Sequence, residues 1–253
     1  MRTSHYLGDH TALTTTKFGD KIYVDTRDTS LAPHLLVEGD WEPWVSNAFR
    51  ATMSRFHGAR VIDVGANFGW YTLLAHRCGA SRVVAIEPNQ RLFRLLWDSV
   101  AVNGYSPKTS ARRVACVAEA TDDLFLEFTW REAGGGRLTA APPDRSSEYE
   151  HVQGLPLDNI LQAEIPITTP SIVKIDVEGR EVDVLRGAST LLAERPVLFV
   201  EHHQDNTRDL WELLGERYVI KHAEHTGHAG APLTIETAER IGEAETLICE
   251  PKP

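Results

Sequence analysis

The chain has 253 residues, enough to bury a sizeable core in one large or two small domains, and too long for a miniature disulfide scaffold. Hydrophobic residues make up 42% and charged residues 25%, close to globular averages, which excludes disorder of the whole chain and fibrous repeats. Lys and Arg total 26 against 36 Asp and Glu, a net charge of −10, and that balance repels phosphate backbones and anionic lipid, so neither nucleic acid nor membrane is an expected partner.

Phe18-Gly19-Asp20-Lys21 lies between β-rich runs at residues 12–17 and 22–24, which predicts a hairpin with a two-residue Gly-Asp turn. Trp44, Val45, Ala48, Phe49 and Met53 recur at helical spacing over residues 43–56, before Gly58 as a stop. Residues 60–64 read as a buried strand, 70–77 as a helix ending near Gly79, and 82–87 as a second strand, together a βαβ unit. Leu92, Leu95, Leu96, Val100 and Val102 mark a helix closed by Asn103-Gly104, and residues 114–117 a third strand.

Residues 119–157 break the pattern. Residues 124–128 are strand-like, but Gly134-Gly135-Gly136 and Ala141-Pro142-Pro143-Asp144 interrupt regular structure, so an insertion or lid over the sheet is expected. Alternation resumes with a strand at 172–177, a helix through Val182, Leu185, Ala188 and Leu191, a strand at 197–200, a helix near 210–214, and late strands at 218–220 and 246–249. The expectation is one α/β domain: an N-terminal extension (1–57), a ligand-binding sheet (58–118 and 171–253) and the insertion (119–157). No run approaches the roughly 18 apolar residues of a membrane span, and the N-terminus lacks an apolar signal core, so a cytoplasmic location is expected. Cys78, Cys116 and Cys249 are widely spaced, with no Cys-x-x-Cys pair, and read as reduced thiols.

The most informative stretch is Asp63-Val-Gly-Ala-Asn-Phe-Gly-Trp-Tyr71. Gly65 and Gly69 join a strand to a helix and are expected to let the backbone approach a ligand at the carboxyl end of the sheet. Asn67 replaces the middle glycine of a dinucleotide fingerprint, and no Lys-Ser/Thr follows as in a P-loop. An NAD-dependent oxidoreductase and a cofactor-retaining binding module are the competing classes. Asp63 suits a ligand ammonium group, and Glu87, ending the second strand, suits the two hydroxyls of a ribose. Amino group plus ribose describes S-adenosylmethionine.

These residues, with Ile86-Glu-Pro-Asn89, Leu157-Asp158, Val173-Lys-Ile-Asp-Val-Glu-Gly179, Val184-Leu-Arg-Gly187 and Pro196-Val-Leu-Phe-Val-Glu201, resemble the FkbM family of S-adenosylmethionine-dependent methyltransferases over roughly residues 42–201. The resemblance implies a Rossmann-like class I methyltransferase fold, with a mostly parallel seven-stranded sheet, helices on both faces and transfer to hydroxyl groups. It implies that Asp63, Gly65, Asn67, Gly69 and Tyr71 surround the methionine part, that Glu87 holds the ribose, and that Pro88, Asn89 and the turn at Ala118 and Glu119 lie near ribose and adenine. Glu42 matches a family glutamate and reaches the cofactor's amino group or serves as a helix-start carboxylate.

Asp176 and Glu201-His202-His203 end two central strands, and two chemistries fit them. Either His202 or His203 is a general base oriented by Asp176 or Glu201, or Asp176, Glu201 and His202 hold Mg²⁺ or Mn²⁺, which lowers the pKa of the acceptor hydroxyl. Glu178 reads as a helix cap, Lys174 as an ion-paired residue, and His222, His225 and His228 as a solvated loop. Trp41 and Trp130 are candidate sugar-stacking platforms. The expected partner is a small-molecule or oligosaccharide acceptor, with a homodimer allowed.

Overall fold

The computed structural model describes residues 3–142, 148–164, 171–224, 229–242 and 245–253. The N-terminal strands β1 (His5–Gly8), β2 (Thr11–Thr15) and β3 (Lys21–Asp25) form an antiparallel sheet in that order. The expected hairpin is thus part of a three-stranded meander. Its connection spans residues 16–20 rather than two residues, and is closed by Gly19 N on Thr16 O and Thr16 N on Asp20 O. Helix α1 (Leu31–Val37), unforeseen, and α2 (Pro43–Arg55) follow.

Strand β4 (Arg60–Val64), helix α3 (Trp70–Arg77) and strand β5 (Arg82–Ile86) build the βαβ unit. All five residues of β4 are buried, which is why its apolar run is continuous: helices cover both faces of a parallel sheet. In α4 (Gln90–Val102), Leu92, Leu95, Leu96, Ser99 and Val100 make one buried stripe, as a 3.6-residue period requires. The next strand of the main sheet is β6 (Thr109–Arg112), not residues 114–117. Ala115–Cys116 form a two-residue strand, β7, that leaves for a second sheet.

That second sheet is the insertion. Strands β8 (Thr121–Thr129), β9 (Glu132–Thr139) and β10 (Glu148–Leu155) pair with β7 in the order β7-β10-β8-β9. The glycine run expected to break structure lies inside β9. At Gly136 a Cβ would stand 2.8 Å from Leu126 Cδ1, so the missing side chain permits close strand packing. Pro143 and Asp144 lie outside the described residues.

Helix α5 (Leu157–Gln162) leads to β11 (Ser171–Ile175). The single helix expected through residues 182–191 is two, α6 (Glu181–Arg186) and α7 (Ser189–Ala193), separated at Gly187. Then come β12 (Val197–His202), α8 (Thr207–Leu214), β13 (Tyr218–Ala223), β14 (Ala229–Pro232), α9 (Ile235–Ala238) and β15 (Glu245–Pro251). The main sheet has eight strands in the order β14-β13-β15-β12-β11-β4-β5-β6: the seven expected and β14 at one edge. The run from β12 to β6 is parallel, and β15 is antiparallel to both neighbours. One apolar core packs α2 and α3 on one face, and a second packs α5 to α8 on the other.

Candidate active site

The carboxyl ends of β4, β5, β11 and β12 share one edge of the sheet, where an open α/β sheet presents its ligand. Gly65, in the turn after β4, has φ +81, and a Cβ there would stand 1.8 Å from the backbone oxygen of Asp176. Gly69 has φ +94, and its Cβ would stand 2.6 Å from Leu96 Cδ1 on α4. The close approaches expected toward a ligand are therefore made to the end of β11 and to α4. Gly65 still borders the ligand cleft and Gly69 does not.

Between the glycines, Asn67 adopts φ 50 and its backbone N–H donates to Glu87 Oε2 at 2.9 Å; Asn89 N–H donates to Glu87 Oε1, also at 2.9 Å. Two backbone donors fix this carboxylate and leave each oxygen a lone pair for a ligand hydroxyl. Glu87 is 5% exposed, and burial pushes its pKa up to about 7 against the pull of those two amides. Asn89 is itself buried, and its Oδ1 accepts from Arg91 N and Leu92 N, so it caps α4 and holds Glu87 from behind.

An apolar slot runs between the end of β5 and the insertion sheet, with Ile86, Pro88, Val114, Cys116, Leu126 and Leu138 among its walls. It is continuous with a cleft of about 670 Å³ through shared residues Gly65, Glu87, Gly134 and Asp176. Ala118 and Asn89 border neither space. The slot's wall comes from Val114 to Cys116 because β7 departs from the main sheet there. Gly134 is placed so that a Cβ would meet Asn67 Nδ2 at 2.3 Å, which brings the insertion directly onto the turn between β4 and α3.

Beneath the cleft lies a buried charge network. Asp63, 1% exposed, accepts from Thr72 Oγ1 at 2.6 Å, and burial pushes its pKa to about 6. It borders neither space, so it braces α3 rather than facing a ligand. Lys174 is its partner in the β4–β11 ladder; the ammonium reaches Asp176 Oδ2 at 2.8 Å and lies 5.2 Å from the centre of the Tyr71 ring. Burial opposes that charge, but Asp176 and Glu42 outweigh it and hold the Lys174 pKa above its usual value. Tyr71 OH donates to Glu42 Oε2 at 2.8 Å, and burial and Glu42 keep the phenol protonated. Glu42 and Tyr71 both line the cleft, from two elements that this hydrogen bond joins.

On β12, alternation of side chains separates the residues read together from sequence. Glu201 lines the cleft, and His203 Nε2 lies 3.1 Å from Glu201 Oε2. His202 points to the opposite face, fully buried, with Nε2 2.7 Å from Thr207 Oγ1. Asp176, Glu201 and His202 therefore do not converge on one point, and Asp176 is engaged by Lys174. The group that does converge is Glu178, Glu201 and His203, whose ligand atoms all lie within 4.8 Å of one another. Glu178 does not cap a helix: Glu181 Oε1 accepts from Val177 N and Gly179 N instead. Glu178 sits at the cleft rim, its pKa raised to about 7 by burial and Asp176. Burial and Asp176 likewise push Glu201 well above the ordinary carboxylate range.

Of the two tryptophan candidates, Trp41 lines the cleft beside Trp44, whereas Trp130 lies under the Arg27 guanidinium at 3.8 Å. His222 belongs to β13 and contacts Glu245 at 3.0 Å, not a solvated loop; His225 and His228 lie outside the described residues. The sequence reading missed the wall formed by α1 and the segments on either side of it, Asp28 and Asp40 included. The signal available was the density of acids and tryptophans over residues 38–44.

The methyltransferase FkbM domain model matches residues 63–225. The hexuronic acid methyltransferase AglP of Haloferax volcanii is 28% identical over 159 residues, 61% of this chain and 60% of that protein. Methyltransferase 1 of Beauveria bassiana is 25% identical over 146 residues, 50% and 57% respectively. The match thus spans less than two thirds of either relative. An O-methyltransferase from Bacillus cereus, solved with S-adenosylhomocysteine (SAH), superposes with a TM-score of 0.50 at 11% identity, covering 87% of this chain and 86% of that one. Its likeness shows the class I methyltransferase fold. No described helix is long and apolar enough to cross a membrane. With more than half its length matched by the domain model, on a sheet whose turns build the cleft described above, the chain belongs to the FkbM methyltransferase family.

Proposed function

We propose that this protein transfers the methyl group of S-adenosylmethionine to a hydroxyl of a saccharide or glycosylated metabolite. The observation that carries the reading is the Glu201–His203 pair at the end of β12, beside a cleft whose other end holds Glu87 and the apolar slot. The slot suits an adenine and Glu87 a ribose diol. Asn67 borders the cleft, and its Oδ1 is buried without a hydrogen-bond partner among the described residues, which suits a ligand donor. When bound, S-adenosylmethionine supplies an electrophilic methyl group on a sulfonium. Glu42, Tyr71 and Lys174 form the polar floor expected under its methionine part. The Glu201–His203 pair takes the hydroxyl proton as the oxygen–carbon bond forms and the carbon–sulfur bond breaks. The saccharide is supported by Trp41 and Trp44 in the cleft wall and by the hexuronic acid in the name of the Haloferax relative.

A second reading is favoured by the convergence of Glu178, Glu201 and His203. A divalent ion of the Mg²⁺ or Mn²⁺ class held there would lower the pKa of the acceptor hydroxyl. The experiment is methyl transfer to a panel of glycosides in EDTA or with added Mg²⁺ or Mn²⁺, for the unaltered chain and for Glu201→Gln and His203→Gln. The proposal expects kcat to fall about 10²- to 10⁴-fold in both variants with SAH affinity unchanged. Activity that survives EDTA assigns the proton to the pair alone; loss restored by the ion assigns a metal. Full kcat in both variants would refute either role.

A further inference from the structure

The described residues lining the cleft include nine carboxylates and neither Lys nor Arg. The inner ones have identified neighbours: Glu87 accepts two backbone N–H groups, Glu42 and Asp176 face Lys174, and Glu178 and Glu201 meet at His203. The outer wall adds Asp28, Glu38 and Asp40, interleaved with Trp41 and Trp44. Asp28 is occupied as the acceptor for Ala32 N and Ser30 N at the start of α1.

Asp40 differs. It is 8% exposed, and its Oδ2 is ion-paired with Lys17. Its Oδ1 is buried and has no hydrogen-bond partner among the described residues. A buried acceptor left unmatched costs free energy that a ligand donor recovers. A hydroxyl or an ammonium group can donate to it. Charge decides between them, because a cation gains from those cleft carboxylates that stay ionised, a neutral group gains little, and an acidic acceptor is repelled. Burial, and behind it neighbouring carboxylates, raise the pKa of Asp28, Glu42, Glu178 and Glu201 alike, as expected where negative groups crowd without enough cations.

We propose that the outer wall of the cleft receives a protonated amine carried by the acceptor, with Asp40 Oδ1 as its hydrogen-bond acceptor and Trp41 and Trp44 as its aromatic wall. The acceptor class is then an amino sugar, not a hexuronic acid. This inference rests on the reading of the cleft as a saccharide-acceptor site. Ammonium groups bind well where carboxylate and aromatic faces meet.

The test is calorimetric titration of the SAH-loaded full chain, in EDTA, with the methyl glycosides of glucosamine, glucose and glucuronic acid. The expected result is at least about tenfold tighter binding of the glucosamine glycoside than of the glucose glycoside, a gap that narrows with added salt, and undetected glucuronide. Asp40→Asn, with nearly the same shape, should close the gap and leave SAH affinity unchanged. Trp41→Leu should narrow it independently, should the loss of the Lys17 pair unfold the first variant. Glucuronide binding as tight as the amine, a gap indifferent to both substitutions, or retained SAH binding with no glycoside bound would each overturn the proposal. Methyl transfer, read separately, distinguishes the two claims: products from neutral glycosides with no amine preference remove only this inference. Amine binding without transfer to any glycoside removes the saccharide reading and the amino-sugar class with it, and leaves the amine site itself.

Discussion

Glu87 carries much of the proposed cofactor binding in one side chain. Its two oxygens are spoken for by Asn67 N and Asn89 N, so Glu87→Ala strips the ligand of its acceptor and leaves two backbone donors unpaired. Two charge-assisted hydrogen bonds at about 1.5–3 kcal/mol each mean that SAH affinity should fall at least about a hundredfold in a titration. Glu87→Gln should not restore it, since its amide nitrogen would face one of the two N–H donors. His202 and His203 make the converse pair: neighbours in sequence, the last residue of β12 and the one after it, whose side chains point to opposite sides. His202→Ala deletes a buried ring bonded to Thr207, and should lower thermal stability by about 2–4 kcal/mol while a refolded sample keeps its kcat. A selective loss of kcat in that variant would return His202 to the chemistry.

At the scale of elements, the turn between β4 and α3 is fitted to the end of β11 with no room to spare. Gly65→Ala would drive a Cβ into the Asp176 carbonyl and force a positive φ on a residue that avoids it. A cost of about 3 kcal/mol or more and loss of SAH binding are expected in thermal unfolding with and without ligand; an unshifted transition would contradict the packing. The same fitting recurs at Gly187, where a Cβ would stand 2.4 Å from Val117 O, and at Asp158, whose carboxylate accepts from Thr190 N and Leu191 N. These family-like motif residues, Leu157-Asp158 and Arg186-Gly187, thus join α5 to α6 and α7 rather than touch the cleft. The βαβ core was legible because burial on both faces writes continuous apolar strands and a capped, striped helix. The polar edge strand β6 (Thr-Ser-Ala-Arg) and the glycine-bearing β9 carry no such signature. Helix α1 has Pro33 and His34 near its middle, and only tertiary contacts of Leu31, Ala32 and Leu35 declare it. Glu87, Asp176 and Glu201 reach the cleft from strand ends and Asp63 does not, and the face each residue takes after β11 and β12 was not readable from sequence. One residue of register exchanges His202 for His203.

For the molecule as a whole, burial of carboxylates sets a pH dependence. In the fold the pKa values of Asp63 and Glu87 rise from 3.8 to about 6 and from 4.5 to about 7. The folded state therefore binds more protons than the unfolded one in that window, and the slope of stability with pH is negative. Their contribution is complete below the unfolded values and is lost as pH rises through the folded ones. Asp25, Glu164 and Glu250 are held low by paired Arg and Lys against the opposing effect of burial, and their contribution is lost as pH falls. The unfolding temperature of the ligand-free protein should peak near about pH 5 and decline toward about pH 7.5, with a shallower decline in Glu87→Gln. A profile flat or rising across that range would count against the buried carboxylates.

The segment that walls the cleft has a further consequence. Asp28, Asp40, Trp41 and Trp44 all precede residue 63, where the family match begins, so the proposed acceptor wall and the part matched by the family are written in separate stretches of sequence. On that proposal, acceptor choice would be transplanted by exchanging the leading segment, provided the incoming piece kept the contacts that seat it, among them Glu42 on Tyr71, Ser46 on Trp70 and Asp25 on Arg91.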